Sequence, residues 1–320
     1  MKRLKTLFKP PRSNTFEATK SFDFQVLDQL VDSNHPVYLI ASKTTDEHFL
    51  LKIYPYVEGE VSQVYVTQVR MMKYSHENIL RITKAEEKQE TRYRGVRFTA
   101  SYLICEFALY GTFFRITQYT SFSLDETLVR TYFRQLIEGL EYLHDHQIAH
   151  LDLKLDYLWL TQDLVLKIGN FETVYMEGDK KITTRGTENY RAPELKAMQC
   201  KNPYKADIYS AGIILFILRS KTFPFIEDFL YYGLDMYKIL EHDNKEFWKA
   251  HLKVRNNEIF YSEEFKELFI SMVREDPEKR ASIKDIKNSK WYQGPVYSGE
   301  ELAKKIVPKL LELPEMKDDE

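Results

Sequence analysis

The chain has 320 residues, 43% hydrophobic and 14% aromatic, which is enough apolar mass for one large buried core. Its net charge of -2 gives no basis for nucleic acid or an anionic membrane surface as a partner. The two cysteines, Cys105 and Cys200, fit a reducing compartment such as the cytoplasm and lack zinc-ligand spacing.

In chain order, residues 1–20 read as a basic, flexible arm, with Lys2, Arg3, Lys5, Lys9, Arg12 and Lys20 against one acid, Glu17. No long apolar stretch follows its first residues, so it does not read as a secretory signal. Three β-rich runs come next: Phe24 to Leu27, Val37 to Ile40, and His48 to Tyr54. The turn between the first two, Val31 to Pro36, contains no glycine. Lys52 sits on the third run. Val61, Val64, Tyr65, Val69 and Met72 recur at helical spacing and predict a helix over residues 61–74. The polar stretch Lys84 to Arg97 reads as a long hairpin tip, followed by a strand from Ala100 to Phe107. A helix is predicted over residues 124–144, turning Leu128, Tyr132, Leu136, Leu140 and Leu143 to the core. The apolar run Ala211 to Leu218 is far shorter than the ~20 residues that a membrane span needs. Near the end, Leu302, Ile306, Leu310 and Leu311 predict an amphipathic helix before the acidic terminus Lys317-Asp318-Asp319-Glu320.

Several stretches carry a resemblance. His150-Leu151-Asp152-Leu153-Lys154-Leu155-Asp156-Tyr157 resembles the protein-kinase catalytic loop H-R-D-L-x-x-x-N. Gly186-Thr187-Glu188-Asn189-Tyr190-Arg191-Ala192-Pro193-Glu194 resembles the end of a kinase activation loop. Asp207-Ile208-Tyr209-Ser210-Ala211-Gly212 and Asp276-Pro277-Glu278-Lys279-Arg280 are similar to further motifs of that family, in family order. The resemblance covers residues 20–295 and is closest to Ser/Thr kinases of the calmodulin-dependent type. It implies an α+β, bilobal kinase fold: a β-rich N-lobe over residues 21–108, a helical C-lobe over 109–292, and a tail over 293–320.

The resemblance also assigns residues. Lys52 falls on the lysine that holds ATP phosphates, and Asp152 on the base that accepts the substrate hydroxyl's proton. Lys154 falls on the lysine that steadies the γ-phosphate, and Cys105 on the gatekeeper, with Glu106 to Ala108 as the hinge. The helix glutamate that pairs with the strand lysine falls on Thr67 or Gln68, neither of them acidic. His150 and Phe171 match a hydrophobic column, Asp207 an anchor of the catalytic loop, and Glu194 and Arg280 a buried ion pair. Thr187 is expected to hydrogen-bond Asp152. The metal-binding positions carry Tyr157 and Asn170 in place of asparagine and aspartate. Mg²⁺ prefers anionic oxygens, and a phenol is protonated at neutral pH. The adenine slot is flanked by Leu50 and Trp159, both larger than usual, which are expected to fill it.

These departures point to a pseudokinase: a catalytically inactive, protein-binding scaffold or a component of a larger, cytoskeletal or cytoplasmic complex, without cofactor. Its contacts with other proteins are expected through the basic arm and the C-terminal helix, with neither nucleic acid nor membrane as partner. The alternative is an unconventional Ser/Thr kinase using ATP with Mg²⁺, with Asp152 as base and Lys52 on the phosphates. A third reading is a nucleotide-binding switch without transfer.

Overall fold

The computed structural model describes residues 17–18, 23–31, 35–45, 47–93, 96–119, 124–182, 186–225, 235–254 and 260–313. The basic arm (apart from 17–18), the turn residues 32–34 and the acidic terminus therefore lie outside the described residues.

The first lobe is an antiparallel sheet of six strands: β1 (Glu17–Ala18), β2 (Phe24–Val31), β3 (Val37–Ser42), β4 (His48–Pro55), β5 (Ile82–Tyr93) and β6 (Val96–Glu106), in the order β1-β5-β6-β4-β3-β2. Strand alternation divides β4 between two environments. Leu51 and Ile53 join Tyr38, Ile40 and Ile104 in a core on one face. Leu50 and Tyr54 face the other way, into the main core, and Lys52 shares their parity.

Two expectations for this lobe need correction. The polar stretch 84–97 is not a long tip, because β5 and β6 stay paired from Ile82↔Cys105 to Tyr93↔Val96. An antiparallel ribbon can leave one face in water, so its polar residues do not end it. The helix expected over 61–74 is α1 (Gln63–Val69), which tightens into a 3-10 turn at Arg70–Lys73. That change of winding brings Met71 inward and leaves Met72 36% exposed, so Met72 is not a core position.

The second lobe is built around two helices. Asp125 caps α3 (Glu126–Asp145) by accepting from Leu128 N at 2.9 Å, after a shorter α2 (Phe113–Tyr119). Leu128, Tyr132, Leu136, Leu140 and Leu143 of α3 are all fully buried, as their spacing predicts. After the short α4 (Pro193–Lys196), α5 (Pro203–Ser220) is buried nearly all round and forms the lobe's axis. Around it lie α6 (Met236–His242), α7 (Asn244–Val254), α8 (Glu263–Met272), α9 (Ile283–Asn288) and α10 (Lys290–Gln293). Among the described residues no helix is long and apolar enough to cross a membrane.

The C-terminal helix is α11 (Gly299–Leu310). It buries Leu302, Ile306 and Leu310, whereas Leu311 is 46% exposed and falls outside the stripe. Its lead-in is tied to α3: Tyr297 N donates to Thr131 Oγ1 at 2.9 Å, and Tyr297 Oη to Asp125 Oδ2 at 3.1 Å. The apolar face of α11 is thus covered by its own chain.

Candidate functional site

The site lies where the sheet meets the helical lobe. Strand β7 (Ile148–Ala149) pairs with β10 (Tyr175–Met176), and β8 (Leu158–Leu160) with β9 (Leu166–Ile168). The loop from His150 to Tyr157 is stretched between β7 and β8. Asp207 of α5, with no solvent exposure, fixes this loop. It accepts from His150 N at 2.7 Å and from Leu151 N at 2.8 Å. His144 Nε2 lies 3.0 Å from the same carboxylate, a contact the sequence reading did not foresee. Leu151 pays for this tether with a left-handed φ of 63°. His150 Nε2 lies 3.0 Å from Gly169 O, and its ring meets Phe171 at 5.7 Å, so the two expected column residues are in contact.

The loop holds Asp152 with one oxygen turned to the activation segment. Asp152 Oδ1 accepts from Thr187 N at 2.8 Å and from Thr187 Oγ1 at 3.0 Å. Arg191, two residues beyond Asn189, donates to Gly186 O and holds the same bend. Lys154 Nζ lies 4.5 Å from the centre of the Tyr157 ring, a cation–π contact. Burial pushes the Tyr157 phenol up, and Asp152, Glu172 and Asp156 add to the rise. The phenol is therefore neutral across the ordinary pH range.

Across the cleft, Lys52 Nζ donates to Asn170 Oδ1 at 3.1 Å. Asn170 has φ of 61°, the left-handed region that asparagine tolerates better than most residues. Of the two helix candidates, Gln68 is 2% exposed and turned inward, while Thr67 Oγ1 donates to Gln63 O at 2.9 Å. Gln68 does not reach Lys52. Its amide donates to Tyr54 Oη and lies 3.5 Å from Glu172 Oε1. The two lobes are thus joined by Lys52–Asn170 and by Gln68–Glu172. The contact of Glu172 was not legible in the sequence, because the direction of that side chain depends on the left-handed turn at Asn170.

The metal positions can be judged from their donors. Asn170 offers a neutral amide oxygen already engaged by Lys52, and Tyr157 a protonated phenol. Neither is the anionic oxygen that Mg²⁺ favours. Among the described residues no group of three or more His, Cys, Asp or Glu side chains is placed to hold a metal ion.

Leu50 is fully buried on β4, opposite Cys105 of β6. Burial pushes the Cys105 thiol up to about 11, with Lys52 pulling the other way. The Trp159 indole lies against Gly169, so closely that a Cβ on Gly169 would stand 3.0 Å from Cδ1 and Nε1. Trp159 Nε1 is buried and has no hydrogen-bond partner among the described residues. Farther out, Arg280 is 2% exposed and pairs with both oxygens of Glu194, at 2.6 and 3.0 Å.

Comparison with known proteins places these features in a family. The protein kinase domain family matches residues 34–292. CBL-interacting protein kinase 26 of Oryza sativa subsp. japonica is 34% identical over 197 residues, covering 60% of this chain and 37% of the relative. CBL-interacting protein kinase 28 of the same organism is 28% identical over 262 residues, 80% of this chain and 54% of the relative. CBL-interacting protein kinase 11 is 32% identical over 200 residues, 61% of this chain and 37% of the relative. The chain therefore spans between about a third and about a half of the curated relatives it matches. These names speak for the kinase alternative of the sequence reading rather than for an inactive fold. A match over most of the chain, with the Asp207 anchor, the His150–Phe171 contact and the Glu194–Arg280 pair in place, means that this chain belongs to the protein kinase family.

Proposed function

We propose that the chain is a kinase-fold binding protein that has lost metal-dependent phosphoryl transfer. The single observation that carries this reading is the hydrogen bond between Lys52 Nζ and Asn170 Oδ1. It occupies the neutral amide of Asn170, the residue that the resemblance aligns with a metal-holding carboxylate. The neutral phenol of Tyr157 at the second position and the glycine-free turn before Pro36 support the same reading. The Trp159 indole against Gly169 and the buried Leu50 support a filled base slot. On this reading the partners are other proteins in a cytoplasmic complex. The basic arm and the polar outer face of α11, with Glu300, Glu301, Lys304 and Lys305, are the surfaces assigned to them.

A second reading is a Ser/Thr protein kinase that uses ATP and Mg²⁺. The names of the relatives favour it, as does the retention of Lys52, Asp152 and Lys154 around one cleft. In that case Asp152 accepts the proton of the substrate hydroxyl and Lys52 holds the phosphates.

The deciding experiment is transfer of labelled γ-phosphate by the full chain, with Mg²⁺ or Mn²⁺, to itself and to generic acceptor proteins. Asp152→Asn serves as the control. The binding reading expects no transfer above that control. Transfer that disappears in Asp152→Asn establishes the kinase.

A further inference from the structure

A second groove lies outside the cleft, where the 3-10 turn Arg70–Lys73, the turn after α3 and the end of β10 meet. Its volume is about 580 Å³. The floor is apolar. Val69, Met72 and Met176 line it, and the rings of Tyr74 and His146, with centres 5.4 Å apart, form one side. The tightened winding after Val69 creates this floor, because it leaves Met72 36% exposed instead of in the core. The rim is basic. Lys73 Nζ lies 5.0 Å from the centre of the Tyr74 ring and has no hydrogen bond or ion pair among the described residues. Arg70 uses Nη1 on Asp179, at 2.9 Å, which leaves its Nε and Nη2 without a partner among the described residues. Lys180 and Lys181 follow Asp179 in the chain, and Glu177 is the one acid in the lining.

An apolar floor with a basic rim suits an acidic segment that carries an apolar side chain. The chain itself holds such a segment. Residues 314–320 set Glu315, Asp318, Asp319 and Glu320 against the single Lys317, around Met316. This segment follows α11, which is tied to the end of α3 opposite the groove. Tyr297 bonds Thr131 and Asp125, and Lys305 Nζ lies 3.9 Å from Asp125 Oδ2, whereas His146 directly follows the last residue of α3. The 20 residues of α3 measure about 30 Å, and seven fully extended residues reach about 25 Å at most. Groove and segment therefore meet most readily between copies. We propose that the groove receives residues 314–320 of a second copy of this chain, with Met316 on Met72 and Val69 and the acids on Lys73 and Arg70. The contact uses none of the cleft residues and stands whether or not the chain transfers phosphate. Its charges are exposed, so the association is weak and salt-sensitive.

The test is sedimentation velocity of the full chain at rising concentration, in low and in high salt, with thermal melting of every variant as a folding control. Wild type is expected to self-associate with a dissociation constant of about 10–100 µM, weakening about tenfold between roughly 50 and 500 mM NaCl. Lys73→Glu should weaken the association about tenfold, and so should the tail pair Asp318→Lys with Asp319→Lys. Lys73→Glu combined with that tail pair restores opposite charges across the contact and should recover most of the association. A chain that stays monomeric to about 1 mM overturns the proposal. A monomer whose melting temperature falls with either charge reversal places the segment in the groove of its own copy, which overturns the second copy. Association indifferent to Lys73→Glu overturns the groove, and association indifferent to the tail pair overturns its occupant. Failure of the combined variant to recover overturns direct contact between the two.

Discussion

Gly169→Ala probes the cleft floor most directly. Gly169 does not have a left-handed φ, so alanine meets no backbone penalty there. Its Cβ would lie 2.9 Å from Leu80 Cδ2 and 3.0 Å from both Cδ1 and Nε1 of Trp159. Overpacking of this kind costs about 1–3 kcal/mol. Two of the three close contacts belong to Trp159, so the penalty should fall once the indole is gone. In a Trp159→Leu background the same substitution should cost about 1 kcal/mol less, a coupling typical of touching residues. Urea unfolding of wild type, both single variants and the double variant gives the cycle, with unchanged m-values confirming a common unfolding transition. Additivity within about 0.3 kcal/mol would refute the reasoning, because the indole would then not be packed on Gly169 in solution.

Opening the slot tests its filling: Leu50→Ala with Trp159→Leu should raise ATP affinity about tenfold by calorimetry, and an affinity unchanged from wild type would refute a filled slot. Replacing Arg280 by Met leaves the Glu194 carboxylate uncompensated in a mostly buried position and should cost about 3–5 kcal/mol in chemical denaturation, whereas a cost below about 1 kcal/mol would mean that the pair is not buried in solution. His251 is 1% exposed, and burial lowers its pKa from 6.5 to about 4. The unfolded chain then binds the proton more readily between those values, so the contribution of His251 to stability is complete above pH ~6.5 and is lost as pH falls towards 4. The loss corresponds to about 3 kcal/mol, and His251→Asn should abolish it in melting curves across pH 4–7.

The structural contacts around the candidate site were legible in the sequence because their residues are tied to short, ordered motifs. Asp152, Thr187, Asp207, Glu194 and Arg280 meet the partners that the resemblance assigned to them. The helix over 124–144 and the burial of α5 follow from periodicity and from unbroken apolar sequence. Where the reading failed, local pattern and tertiary need diverged. The stripe that included Met72 assumed α-helical winding to residue 74, but the chain tightens to a 3-10 turn after Val69. The polar run 84–97 looked like a loop because its solvent face dominates its composition, yet pairing with β6 holds it in a ribbon.

The sequence alone determined the family, the order of the lobes and the identity of the changed residues: no acid at 67 or 68, an amide at 170, a phenol at 157, an indole at 159. It could do so because the kinase motifs are local and ordered. Only the tertiary structure decided what those residues do to each other. Gln68 turns to Tyr54 and Glu172 rather than to Lys52, Lys52 takes the Asn170 amide, and Trp159 settles on Gly169. The Lys52–Asn170 and Gln68–Glu172 contacts join segments 118 and 104 residues apart across two lobes, and their directions are set by a left-handed turn and by side-chain packing, neither of which leaves a period in the chain.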